Sequence, residues 1–148
     1  MYGKNLDKKV VYLVDDDQED QEIFSDALEM VDTNFTLKMF DNGVDLMADL
    51  HSETELPDVI FLDLFMPMMN GEECLQDIRE NYQFNDVPVV IYSTVLDMGK
   101  IEELFDMGAN RYLHKPSNFN ALVTALERTM RSVERNKMGG TAIINVMN

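Results

Sequence analysis

The chain is short of cysteine, of positive charge and of long apolar runs. A single cysteine, Cys74, in 148 residues excludes an internal disulfide. Twelve Lys and Arg against 28 Asp and Glu leave a formal charge of -16, a field that repels phosphate backbones and anionic lipid alike. Nucleic acid and membrane are therefore set aside as partners, and a protein or a cation is expected. No apolar stretch approaches the ~20 residues that span a bilayer, and the start, MYGKNLDKKVVYLV, enters strand-like sequence without a leader's cleavage pattern. A cytoplasmic protein is the expectation. There is no internal repeat and no low-complexity tract, and the length suits one domain.

What is present is an alternation. Five short β-branched runs, Val10 to Val14, Thr36 to Phe40, Val59 to Leu62, Val89 to Tyr92 and Tyr112 to His114, are separated by segments with helical spacing. Ile23, Phe24, Ala27, Leu28 and Val31 share one helical face, as do Cys74, Leu75 and Ile78, and Ile101, Leu104 and Phe105. The segment around Val44 to Leu50 is the least regular. The last helix carries a continuous stripe, Phe119, Leu122, Val123, Leu126, Met130 and Val133, behind a cap at Ser117 or Asn118. This pattern predicts an α/β fold, a parallel sheet with helices on both faces, from about Val10 to Arg135. After Gly139-Gly140, the run Ala142 to Met147 reads first as a frayed tail and second as a strand or clasp added to a partner subunit.

Open α/β sheets bind ligands beyond the carboxyl ends of their strands. There VVYLV leads into Asp15, Asp16 and Asp17, VIFL into Asp63, VVIY into Ser93 and Thr94, and YLH into Lys115-Pro116. Carboxylates packed closely repel unless a cation joins them, and a hard divalent ion with oxygen ligands suits them. Magnesium keeps waters and is held by one or two carboxylates plus phosphate oxygens, so the set is read as half of a phosphoryl-transfer centre. Asp63 is the candidate nucleophile, forming an aspartyl-phosphate. Lys115 offers a point charge to one phosphoryl oxygen and Ser93 a hydrogen bond to another.

In that order, VDDD, LDLFMPMMNG, VVIYST and YLHKP resemble the receiver domain of two-component response regulators over about Val10 to Arg135. The resemblance implies a flavodoxin-like (βα)5 doubly wound, five-stranded parallel sheet of order 2-1-3-4-5, with residues 1–137 as one receiver domain and 138–148 as a tail. It implies Asp63 as acceptor of phosphate from a histidine kinase or phosphotransfer protein. Mg2+ is then bound directly by Asp16, largely through water by Asp15, and also by Asp63 and the backbone carbonyl of Phe65. Lys115 holds the phosphoryl group while Ser93, with Thr94 beside it, moves toward it. Tyr112 changes rotamer, which alters the face made by the fourth helix, fifth strand and fifth helix. Pro116, at a cis bond or turn, and Gly71, in the Asn70-Gly71 turn, shape the loops. A downstream protein target is implied but not named, with a homodimer left open; direct transcriptional output through a DNA-binding segment after the fifth helix is not expected.

Phe65 and Val95 stand where chemotaxis-type members often carry more polar residues, which implies a shielded acyl phosphate and slow self-dephosphorylation. Structural readings apply elsewhere. Alternation turns His114 away from the Lys115 side, His51 is loop surface, Cys74 is a buried thiol, and the twelve methionines mostly fill core. Of the six acids between Asp15 and Glu22, Glu19, Asp20 and Glu22 read as a solvated helix start. Three other functions suit these residues less well. A dehalogenase-type phosphohydrolase wants an acid where Phe65 stands, a flavodoxin-like cofactor binder would be repelled by DDDQED, and a receiver-shaped interaction module would never be phosphorylated.

Overall fold

The computed structural model of the chain describes residues 8–52 and 55–146. The first seven residues, on which the reading of a missing leader partly rests, lie outside the described residues, as do the last two of the tail. The element order is β1 (Lys9–Val14), α1 (Gln18–Val31), β2 (Phe35–Phe40), α2 (Gly43–Ser52), β3 (Val59–Leu62), α3 (Gly71–Glu80), a 3-10 turn (Tyr82–Phe84), β4 (Val89–Ser93), α4 (Met98–Asp106), β5 (Arg111–His114), α5 (Phe119–Arg135) and β6 (Ala142–Ile144). The strands form one parallel sheet in the order β2-β1-β3-β4-β5-β6.

Strand alternation divides the core in two. Tyr12, Val14, Ile60, Leu62, Val89, Ile91 and Tyr112 point to the side of Leu46, Leu50, Cys74, Ile78, Ile101 and Leu104, which are carried by α2, α3 and α4. Val11, Leu13, Val59, Phe61, Val90, Tyr92 and Leu113 point to the side of α1 and α5, where Phe24, Leu28, Leu122 and Leu126 meet them. Both faces of β3 and β4 are buried throughout, which is why those strands read as unbroken apolar runs. Phe24 lies at the centre of the second layer, its ring centroid 5.0 Å from that of Phe61 and 5.5 Å from that of Tyr92.

The tail carries a strand, and that strand joins the chain's own sheet. Arg111 pairs with Ala142, Tyr112 with Ile143 and Leu113 with Ile144. The buried Arg111 guanidinium ties down the preceding turn: it donates to Ser132 Oγ and to the carbonyl oxygens of Ser132, Asn136 and Lys137. Asn110 adds a bond from Nδ2 to the Met138 carbonyl at 3.0 Å. Five strands in the expected order are thus extended by a sixth, which covers the edge that β5 would otherwise leave open.

Candidate functional site

Register places the acids. Val14 of β1 is level with Leu62 of β3, and the Asp63 N–H donates to the Val14 carbonyl at 3.0 Å. The next residue on each strand, Asp15 and Asp63, therefore leaves the sheet beside the other. On the other side of β3, Ser93 ends β4 opposite His114, and the Lys115 N–H bonds the Ser93 carbonyl at 2.8 Å. All four groups emerge at the carboxyl edge because four parallel strands end within two residues of one another.

Helix starts hold the loops. Asp17 caps α1 by accepting from the N–H groups of Glu19 and Asp20, and Asn70 caps α3 in a reciprocal box with Glu73. Gly71 follows that cap with its N–H on the Leu64 carbonyl at 2.9 Å. Met68, in the loop between β3 and α3, takes the left-handed conformation at φ 71° that side chains disfavour. Gln21 reaches back from α1, bonding the Asp15 carbonyl at 2.6 Å and Asp41 Oδ1 at 2.9 Å.

Carboxylate oxygens of Asp15, Asp16 and Asp63 lie within 4.8 Å of one another, with Asp15 and Asp63 buried and Asp16 exposed. Burial lifts the Asp63 carboxyl to about 6; Lys115 opposes the rise, and the Asp15 charge adds to it. Asp15 is raised as well, first by burial, against the Asp17 N–H and Lys115, which lower it. Two buried carboxylates with raised pKa values and an exposed third form an all-oxygen donor set short of positive charge. Such a set suits a hard divalent ion, approached from the Asp16 side.

Among the described residues, Lys115 is the one cation placed beside these carboxylates. Its Nζ donates to Asp15 Oδ2 at 3.1 Å and to Asp20 Oδ2 at 3.2 Å, and stands 3.8 Å from Asp63 Oδ1. It also lies 4.7 Å from the centroid of the Tyr92 ring. Burial lowers its pKa, but the charges of Asp63, Asp15 and Asp20 outweigh that and leave it raised. Asp20, which the sequence alone places in the solvated start of α1, instead packs against Lys115, a contact the run of acids does not signal.

The remaining expected residues divide. Ser93 is buried, and its Oγ accepts the Val95 N–H at 3.1 Å, while Thr94 is exposed and its carbonyl meets His114 Nε2 at 3.0 Å. Tyr112 is fully buried, with its hydroxyl donating to the Val95 carbonyl. The bond before Pro116 is trans, since no cis peptide occurs among the described residues; this corrects the cis option, and trans is the form X–Pro bonds prefer by about 0.5–1 kcal/mol. Phe65 is 64% exposed, so most of its ring faces solvent rather than the acceptor. His114 Nδ1 meets Asn145 Oδ1 at 3.0 Å, so both ring nitrogens have partners, as expected of a packing histidine.

Residues 11–127 match the family model described as the response regulator receiver domain. The chain belongs to that family. Among curated proteins, this receiver is 30% identical over 125 residues to the DNA-binding transcriptional regulator NtrC of Salmonella typhimurium, covering 84% of this chain and 25% of NtrC. The chain thus spans about a quarter of that relative's length. It is 29% identical over 119 residues to the response regulator Rcp1 of Synechocystis, covering 77% of this chain and 81% of Rcp1. Among solved structures, it is similar to the phosphorylated cyanobacterial phytochrome response regulator RcpA, with a TM-score of 0.77 at 26% identity, over 87% of this chain and 95% of that one. It is also similar to the Mn2+-bound form of Rcp1, with a TM-score of 0.72 at 26% identity, over 88% and 94%. Receivers are signalling proteins of two-component systems that interact with histidine kinases or phosphotransfer proteins and bind Mg2+ or Mn2+ at an acidic pocket. No helix among the described residues is long and apolar enough to cross a membrane.

Proposed function

We propose that this receiver accepts a phosphoryl group on Asp63 from a histidine kinase or phosphotransfer protein, with Mg2+, and signals to a downstream protein by changing its α4–β5–α5 face. The observation that carries the reading is the convergence of Asp15, Asp16 and Asp63 within 4.8 Å, with the Lys115 ammonium 3.8 Å from Asp63. Phosphorylated RcpA and Mn2+-bound Rcp1 support it as relatives. The reading places the protein in the cytoplasm.

In the reaction, an Asp63 carboxylate oxygen attacks phosphorus. The new O–P bond forms as the donor's P–N bond breaks, and the electron pair stays on the imidazole nitrogen, which takes up a proton. Asp15, Asp16, Asp63 and the Phe65 carbonyl would hold magnesium, whose charge screens the repulsion between the carboxylate and the incoming phosphoryl group. Lys115 shifts to an equatorial phosphoryl oxygen, and Ser93 exchanges the Val95 N–H for a bond to another. Because Val95 is bonded through its carbonyl to Tyr112, movement of the Ser93–Val95 loop reaches the β5 side chain facing α4. The receiver thereby catalyses its own modification and turns over no separate substrate.

Intact mass after incubation with Mg2+ and acetyl phosphate tests this. Wild type should gain one phosphoryl group and Asp63→Asn none; a folded, magnesium-binding wild type that gains none would leave the interaction-module reading in its place.

A further inference from the structure

The lysine in the site is ion-paired with the acceptor but gives its hydrogen bonds to two other carboxylates. Of its three donors, one goes to Asp15 at 3.1 Å and one to Asp20 at 3.2 Å, while Asp63 stands beyond hydrogen-bond reach at 3.8 Å. Asp15 belongs to the carboxylate cluster and Asp20 does not. The place of Asp20 is fixed independently: it is the third residue of α1, and its own N–H is bonded to the Asp17 cap at 3.3 Å. Its side chain is 39% exposed against 12% for Lys115, so the contact closes the site on its solvent side.

We propose that Asp20 is a positioning residue that stations Lys115 and competes with the phosphoryl group for it. The inference rests on the reading of Asp63 as phosphoacceptor. When a divalent ion shares the charge of Asp15, Asp20 is the carboxylate left to Lys115. A phosphoryl group on Asp63 then brings up to two negative charges and three acceptor oxygens, and the flexible ammonium transfers to it. Every phosphorylation breaks the Lys115–Asp20 pair, and every loss of phosphate restores it. Asp20 thus favours the unmodified state.

Asp20→Asn tests this, because it keeps the shape and an acceptor oxygen and removes only the charge. Phosphoryl gain from acetyl phosphate should rise roughly two- to fivefold and phosphoryl loss should slow by a similar factor, the range set by a part-exposed ion pair. Affinity for beryllofluoride, a phosphoryl mimic, should tighten likewise, and these gains should shrink in high salt. Mg2+ affinity by calorimetry should stay within about threefold of wild type, since Asp20 is outside the metal cluster. Asp20→Glu, which restores the charge, should return the rates toward wild type. Equal or slower phosphorylation of Asp20→Asn, beside a wild type that is phosphorylated, would overturn the role of Asp20 alone. Loss of Mg2+ binding would make Asp20 a metal residue and overturn it too. A wild type that takes up no phosphoryl group would overturn both this inference and the reading it rests on.

Discussion

Gly71 presses on the backbone of Asp63: a Cβ at Gly71 would fall 2.4 Å from the Asp63 carbonyl oxygen and 2.8 Å from Leu64 Cα. The obstruction is main chain at the end of β3, which cannot rotate aside as a side chain can. Gly71→Ala should therefore push the acceptor out of line with Asp15. We expect a loss of about 1–3 kcal/mol in chemical denaturation and slower uptake of phosphate at matched folded fraction. Wild-type stability and uptake in this variant would show that α3 can move off β3 freely.

The raised pKa of Asp63 makes stability depend on pH. Its folded value, about 6, lies above the ordinary carboxyl value of 3.8, so the folded state binds this proton more tightly. The contribution is fully present below the unfolded value and is lost as pH rises through the folded one. In metal-free buffer the loss amounts to at most about 3 kcal/mol. Asp63→Asn escapes it, so its stability gain over wild type should be small near pH 4 and largest above pH 7. Denaturation in a chelating buffer across that range checks the sign, and a gain that does not grow with pH would refute the burial argument.

Arg111 anchors the sixth strand through the turn that precedes it. Arg111→Met keeps most of the stem and strips hydrogen bonds from Ser132 Oγ and from the carbonyls of Ser132, Asn136 and Lys137. The variant should lose about 2–4 kcal/mol. Hydrogen exchange at Ala142–Ile144 should quicken more than exchange in β3 and β4. Equal changes throughout would mean that β6 does not depend on this guanidinium.

The legible parts of the molecule were those with short-range causes. The five strands were visible because burial on both faces of β3 and β4 demands apolar runs, and Asp63 stood out because a carboxylate ends one of them. The α2 segment was least regular in sequence, yet Leu46, Met47 and Leu50 suffice to seat it against the core. The strand Ala142–Ile144 ranks only second to a frayed tail in the sequence because three residues carry almost no periodicity, and what fixes the turn before it is a guanidinium more than 20 residues upstream. Asp20 was hidden differently. Within a run of acids at a helix start it looks like any solvated carboxylate, and only Lys115, 95 residues away, sets it apart. A usable signal existed, since Asp20 lies one turn beyond Asp16 and Asp17 at the end of β1, on the helix that packs beside α5.

The central claim is that Asp63, among so many acids, is the one that carries phosphate. The most direct test is to load the wild type with acetyl phosphate and Mg2+, reduce with borohydride, which converts an aspartyl-phosphate to homoserine, and map the digest by mass. Homoserine is expected in place of Asp63 and at no other acid. Homoserine at Asp15, Asp16 or Asp20, or a stable phosphoryl group on His51 or His114, would contradict it.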